Sequence, residues 1–511
     1  MWEKDLIIGW WWHKMNTYEL KTREILKSYY KDNSVVESQI QSYNYFIDEG
    51  LQEIIMGFDK SNVPEYLHEV YDEVNLRIDG VELGAPEHIE VDGSKTKLTP
   101  QIARMRGLTY SAPLSLKIST TIGSQVETFE VQIARMPILL KSNYCALKNK
   151  SFEELIALGE DPYEPGGYFI VNGTEKVVVL MEDLSLNKFF IEEINSDEPV
   201  GKMFSERGVY KSLQEIKLQK DGAYVYTFGN FKNIPIFLLV KSLHVMSDKE
   251  IVQLLGVHDS DVLFQLSEYS QYTTKDELYD ILGKRFGLVG NVKEKDDRIN
   301  FYLDNFVLPH VGTQEENRGQ KAELICKLFK KYYNTMQGVS ELDDKDSSTN
   351  KRVKLVGQLF EQMFVGNFQE LIVDILTNFQ RMIKRNRFSS MKIIIREQLL
   401  TQKINSALAV GTWSDGRKGV AQYLKRGNYF DMLSHITRVV SPLSTSQENF
   451  LARELHPTQY GRLCPVETPE GHSIGLRKNL AIMTDVTYKQ AQKENEELIE
   501  SLKEMGMEGL K

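Results

Sequence analysis

Residues Leu433 to Met483 read LSHITRVVSPLSTSQENFLARELHPTQYGRLCPVETPEGHSIGLRKNLAIM, a stretch dense in residues with special backbone or side-chain chemistry. His456-Pro457-Thr458 and Cys464-Pro465-Val466-Glu467-Thr468-Pro469-Glu470-Gly471 hold three of its prolines. Proline removes a backbone donor and drives the preceding residue out of the α region, so neither segment can be a helix interior. Irregular backbone of this kind must be held by tertiary packing. The apolar flanks, Leu433 to Leu443 and Ile474 to Met483, can supply that packing. Arg438, Arg453, Arg462, Glu467 and Glu470 are then expected on a rigid loop scaffold, where function commonly sits.

The charge reverses at the same place. From Arg381 to Leu480 there are 16 Lys+Arg against 7 Asp+Glu, a net +9, while the whole chain carries −10 and the remainder therefore −19. A basic centre in an acidic chain points to a local polyanion contact rather than to general adhesiveness. The 511 residues allow roughly three compact units. With 41% hydrophobic and 26% charged residues, the composition is that of an ordinary globular protein. Cys145, Cys326 and Cys464 lie far apart with no CxxC, which supports neither a disulfide framework nor a cysteine zinc site and fits a reduced, cytoplasmic compartment. No apolar run approaches the roughly 18 to 20 residues that span a bilayer, so no membrane partner is expected.

Periodicity and breakers give a coarse α+β, multidomain organisation. Leu20 to Tyr30 and Glu37 to Ile55 have helical spacing, and Glu69 to Val131 reads as strands and hairpins. Tyr168 to Leu180 holds an Asn172-Gly173 hairpin turn. Tyr224 to Phe228 and Ile236 to Val240 read as strands, and Asp248 to Leu255, Lys275 to Phe286 and Gln320 to Gln337 as helices. Asp343 to Thr349 is a polar crossing, after which Val353 to Ile383 returns to helical spacing. The N-terminal Trp10-Trp11-Trp12 run reads as an extension, with a partner-facing aromatic patch as the other possibility.

LHPTQYGRLCPVETPEGHSIGLRKNL, preceded by RVVSPLSTSQ, resembles the fork of the second-largest subunit of multisubunit DNA-directed RNA polymerases, in its archaeal version. The resemblance covers nearly the whole chain. LTPQIARMRGLTY (Leu98 to Tyr110), ARMPILL (Ala134 to Leu140), GGYFIVNGTEK (Gly166 to Lys176) and LPHVG (Leu308 to Gly312) agree with the family in order and spacing. By this resemblance residues 1–19 are an N-terminal extension, 20–190 and 350–405 a split protrusion, 191–349 the lobe, 406–485 the fork, and 486–511 a helical tail. The chain's end soon after the fork resembles archaeal polymerases whose second-largest subunit is split into two polypeptides, this being the N-terminal half, called B double-prime. The implied partners are the C-terminal half of that split subunit, the largest subunit and other polymerase subunits, the DNA template and the nascent RNA.

The same resemblance implies the chemistry. The family's metal-binding acidic triad lies in the largest subunit, so Mg2+ is expected in the assembled enzyme and no cofactor or metal in this chain. Thr412 to Arg417 corresponds to the first fork loop and Ser444 to Leu451 to the second. Gln422, Arg426, Arg438 and Arg453 fall in stretches that face the RNA–DNA hybrid or template. Arg417 and Arg462 join them as nucleic-acid-binding candidates, since the guanidinium fork suits phosphate. Glu470 matches an active-centre support carboxylate with a positioning role.

Each pick has a plainer reading. Arg417 and Arg426 can be solvated surface charges, Arg462 can pair with Glu467 or Glu470, and Lys384-Arg385-Asn386-Arg387 can be a helix's exposed face. Trp413 fits packing better than base stacking. His456, Cys464, Glu467 and His472 lack zinc-ligand spacing and no nucleophile elbow surrounds them, against a metal-dependent hydrolase. A standalone nucleic-acid-binding architectural protein is the alternative from another class. The chain departs from the family at Ser347-Ser348-Thr349, at Lys425 where an acid is usual, and at Gly471-His472-Ser473-Ile474.

Overall fold

Asn172 (φ 50°) and Gly173 (φ 75°) both adopt the left-handed region and join strand Phe169–Val171 to strand Thr174–Val178, as an Asn-Gly hairpin requires. The structure is a computed structural model. It describes residues 19–31, 33–57, 74–122, 125–193, 199–207, 210–272, 274–385, 392, 394–413, 416–487, 498–503 and 505. Residues 10–12, 69–73, Ser414, Asp415, Asn386, Arg387 and 488–497, which carry some of the sequence expectations, lie outside the described residues.

The chain forms two compact units, one of residues 1–183 with 353–511 and one of residues 184–352. In the first, Val74–Leu83, Ser111–Ile122 and Gln125–Pro137 make an antiparallel sheet. Helix Glu397–Val410 lies against its last strand, where the Thr401 hydroxyl accepts from the Arg135 amide at 2.9 Å. Glu37–Tyr45, a π turn at Phe46–Gly50 and Leu51–Met56 run on as one helical segment that crosses the long helix Val356–Lys384. Tyr43, Phe46, Phe169, Phe360 and Phe364 interlock there with ring centroids 5.0 to 6.4 Å apart. Strand Ala421–Tyr423 extends the Asn-Gly hairpin into a three-stranded sheet. A four-stranded sheet follows in the order Lys351–Lys354, Leu180–Leu184, Arg438–Val440, Arg477–Asn479.

The second unit opens with a five-stranded antiparallel sheet from Phe190–Glu192 to Phe231–Pro235 and continues, among the described residues, with six α-helices from Ile236–Leu243 to Arg318–Met336. It has its own core, centred on Tyr226, Leu238, Leu239, Leu282, Ile325 and Phe329.

Three expectations are corrected here. Ile236 to Val240 is a helix, Ile236–Leu243, rather than a strand. All eight of its residues are buried, and a short continuous apolar run carries no periodicity by which to choose. The expected strand block from Glu69 to Val131 is interrupted by helix Pro100–Arg106, whose start and stop signals were present: Thr99 caps Ile102, Pro100 opens the first turn and Gly107 (φ 67°) closes it. The helix predicted from Val353 begins at Val356, after strand Lys351–Lys354.

Candidate nucleic-acid interface

The site is built on the pairing of Arg438–Val440 with Arg477–Asn479, in which Arg438 faces Asn479, Val439 faces Lys478 and Val440 faces Arg477. Alternation sends Val439 and Lys478 to one face. There Val439 packs with Leu180, Leu355 and Leu463, and Lys478 is buried on Glu182 at 2.8 Å. Arg438, Arg477 and Asn479 therefore share the opposite face. The side chains of Arg438 and Arg477 have no hydrogen-bond or ion-pair partner among the described residues. Burial and the neighbouring Arg477 lower the proton affinity of Arg438, and Asp431 and Glu467 oppose them. A guanidinium remains charged in such surroundings.

The proline-rich turn beside this face is pinned by short polar contacts. The Ser434 hydroxyl donates to Glu467 at 2.6 Å, and the Asn479 amide donates to both Ser434 and Glu467. Thr468 Oγ1 accepts from the Gly475 amide and donates to the Arg477 carbonyl, each at 2.9 Å. Arg453 spends its fork on four carbonyls, those of His472 (2.8 Å), Ile474 (3.0 Å), Thr445 and Gln447 (both 3.1 Å). It thus ties the segment after Ser444 to the Pro469–Ile474 turn. Gly475 (φ 69°) lies so close to Arg453 that a Cβ would meet its carbonyl oxygen at 2.2 Å.

The other sequence picks have identifiable positions. Arg417 makes a two-pronged ion pair with Asp183 (2.7 and 3.1 Å), which also holds Lys354 at 2.8 Å, and the two cations keep the Asp183 carboxyl below its ordinary range against burial. Arg426 binds Glu175, the Tyr168 hydroxyl (2.8 Å) and Glu164 (3.3 Å), in a cluster that Arg104 completes through Glu160 (2.7 Å) and Glu175 (2.9 Å). Arg462 donates to the Thr458 carbonyl at 2.8 Å, not to Glu467 or Glu470. Gln422 donates to the Gly419 carbonyl at 2.9 Å and meets His435 at 3.1 Å. Glu470 is exposed, with no side-chain partner among the described residues. Trp413 is buried edge-on against Phe360 at 5.8 Å, in a packing role.

The structure thus sets Arg438 apart from the other arginines and adds two residues that sequence reading passed over as sites, Arg477 and Lys425. Both are exposed and unpaired among the described residues. Together with Arg438 they surround His435, which is 1% exposed and whose pKa is held down to about 4 by burial first and then by Arg438, Lys425 and Arg477. Arg477 could have been found from its place two residues from Asn479 in the same strand. Lys425 was visible as a departure from the family. Among the described residues no three His, Cys, Asp or Glu side chains are placed to hold a metal ion, and no helix is long and apolar enough to cross a membrane.

Comparison with known proteins agrees along almost the whole chain. Residues 34–402 match the family model described as RNA polymerase beta subunit, and residues 422–486 match RNA polymerase Rpb2, domain 3. The chain is 38% identical to DNA-directed RNA polymerase subunit Rpo2N of Methanococcus vannielii over 96% of its own length and 99% of that protein's. For Rpo2N of Methanocaldococcus jannaschii the identity is 36%, covering 95% and 99%. Subunit Rpo2 of Saccharolobus solfataricus is 34% identical over 94% of this chain, which spans 43% of that longer relative. A family model over more than half of the chain, and relatives of this identity matched nearly end to end, lead to one conclusion: the chain belongs to the RNA polymerase beta-subunit family.

Proposed function

We propose that this polymerase subunit shapes the active-centre cleft and contacts the RNA–DNA hybrid and downstream DNA through the face that carries Lys425, Arg438 and Arg477. The observation behind this reading is that cluster: three cations around one buried neutral histidine, without ion-pair partners of their own among the described residues, on the stretch where the chain's charge turns positive. Unpaired positive charges held close together repel one another, and a phosphate backbone relieves that repulsion while releasing counterions. Arg417, Arg426 and Arg453, whose forks are occupied within the protein, shape and stiffen the loops that present the cluster. Gln422 borders it through His435, Arg462 is a further phosphate-contact candidate on the Pro457–Leu463 loop, and Glu470 supports the active centre from its exposed turn by positioning. Catalytic Mg2+ is assigned to the largest subunit, and this chain alone is inactive. Its partners are that subunit, the C-terminal half of the split second-largest subunit and the other polymerase subunits, with DNA template and nascent RNA, in the cytoplasm.

The test is the salt dependence of elongation-complex lifetime in polymerase reconstituted with this chain. Arg438→Ala, Arg477→Ala and Lys425→Ala are each expected to shorten the lifetime on all templates alike and to reduce the log–log salt slope by about one. Wild-type slopes in all three would refute the interface.

A further inference from the structure

His435 occupies a position that none of the nucleic-acid candidates explains. It lies in the last turn of helix Tyr429–Ile436 and is 1% exposed, yet both ring nitrogens are engaged by the segment that runs from Gly419 to Lys425. Nδ1 accepts the Lys425 backbone N–H at 3.1 Å, and Nε2 meets the Gln422 side-chain oxygen at 3.1 Å. Gln422 in turn donates to the Gly419 carbonyl at 2.9 Å. The pattern is self-consistent for one tautomer. With Nδ1 accepting, the proton sits on Nε2 and is donated to Gln422, so the neutral ring satisfies both neighbours.

The contact closes a loop from Lys425 to His435, ten positions apart in the chain. Gly427 and Asn428 lie inside it, Asn428 caps the helix by accepting from the Asp431 amide at 2.8 Å, and Lys425 is the residue at which it closes. The Lys425 side chain has no partner among the described residues that would fix it, so the backbone anchor is what sets where its charge projects. The charged groups facing the imidazole are Lys425, Asp431, Arg438 and Arg477. Three of the four are cations, an arrangement in which a neutral acceptor is tolerated and an imidazolium is not.

We infer that His435 is a positioning residue for nucleic-acid binding: its Nδ1, as a neutral acceptor for the Lys425 amide, holds the Lys425 charge in the cluster with Arg438 and Arg477. The ring itself touches no nucleic acid. The inference rests on the proposed interface and adds a residue that acts through another.

Two near-isosteric variants separate the ring's two contacts. In His435→Asn the side-chain carbonyl stands where Nδ1 was, and in His435→Gln the longer amide reaches the Nε2 position and leaves the Lys425 amide without its acceptor. In reconstituted polymerase, His435→Asn is expected to keep elongation-complex lifetime within about twofold and the salt slope unchanged. His435→Gln should reduce the slope by about one, as Lys425→Ala does. Adding Lys425→Ala to His435→Gln should change nothing further, because two changes that remove one contact do not add. Equal behaviour of the Asn and Gln variants would overturn the inference, as would full additivity with Lys425→Ala. Failure of both variants to assemble would also overturn it, leaving the ring as a packing group. If Lys425→Ala, Arg438→Ala and Arg477→Ala leave the slope at its wild-type value, the interface itself fails; if they reduce it while His435→Gln does not, only the positioning role falls.

Discussion

Arg453 was expected to meet nucleic acid, and its side chain instead gathers four carbonyls from two loop segments. Charged hydrogen bonds contribute more than neutral ones, and a lysine cannot reproduce a planar fork. Arg453→Ala is therefore expected to cost about 2 to 4 kcal/mol of local stability, with Arg453→Lys recovering less than half of it. Hydrogen exchange across residues 444–475 checks this, and unaltered protection in Arg453→Ala would show that its four carbonyl contacts do not hold these loops. His435 gives the chain an acid-sensitive point. Its folded pKa of about 4 lies below the ordinary value of 6.5, so the unfolded chain takes up the proton first. The stability from keeping the ring neutral is complete above about pH 6.5 and is lost as pH falls toward 4. Denaturation midpoints of wild type and His435→Gln should accordingly converge between pH 7 and pH 4.5, while many carboxylates that titrate lower affect both alike.

At the scale of elements, the start of helix Val356–Lys384 shows how distant segments are joined. The Val356 amide donates to Gln39 Oε1 at 2.9 Å and the Gly357 amide to Ser42 Oγ at 3.1 Å, so first-turn donors of one helix are satisfied by side chains from another more than 300 residues earlier. Gly357 is required by that approach, since a Cβ would meet the Ser42 carbonyl oxygen at 2.0 Å. Gly357→Ala should destabilise the unit by about 2 kcal/mol or more despite alanine's better helix propensity. An increase in the denaturation midpoint would show that the two helices can separate without loss. The misread helix Ile236–Leu243 belongs to the same scale. Leu238 and Leu239 are both fully buried there, and Leu239→Ala is expected to cost about 2 to 5 kcal/mol in the second unit.

For the whole molecule, the apolar residues after the fork divide in two. Leu476 is 2% exposed, and Leu480 packs beside Leu463 and Val439, so these two supply the packing expected of this flank. Ile474, Ile482, Met483, Leu498 and Ile499 are exposed. On the proposed assembly with the C-terminal half of the split second-largest subunit, coexpression with that chain should slow hydrogen exchange at residues 474–487 and 498–503. Equal protection with and without it would place that contact elsewhere. The isolated chain should show no templated RNA synthesis, and robust synthesis by it alone would overturn the division of roles with the largest subunit.

The Asn172-Gly173 hairpin, helices Asp248–Leu255 and Lys275–Phe286, and the irregular course of the proline-rich turn follow from local rules, because φ > 0, capping and missing donors act within a few residues. Family membership was legible for a related reason: long runs such as LTPQIARMRGLTY and CPVETPEG retain their order in one dimension. Sequence alone did not decide which cations are free. Arg417, Arg426 and Arg453 look like Arg438 when read along the chain, but Asp183, Glu175 and the loop carbonyls that occupy them come from positions up to 251 residues away. Tertiary structure alone settled that assignment, because whether a charge is spent or available depends on what the folded chain brings within hydrogen-bond distance of it.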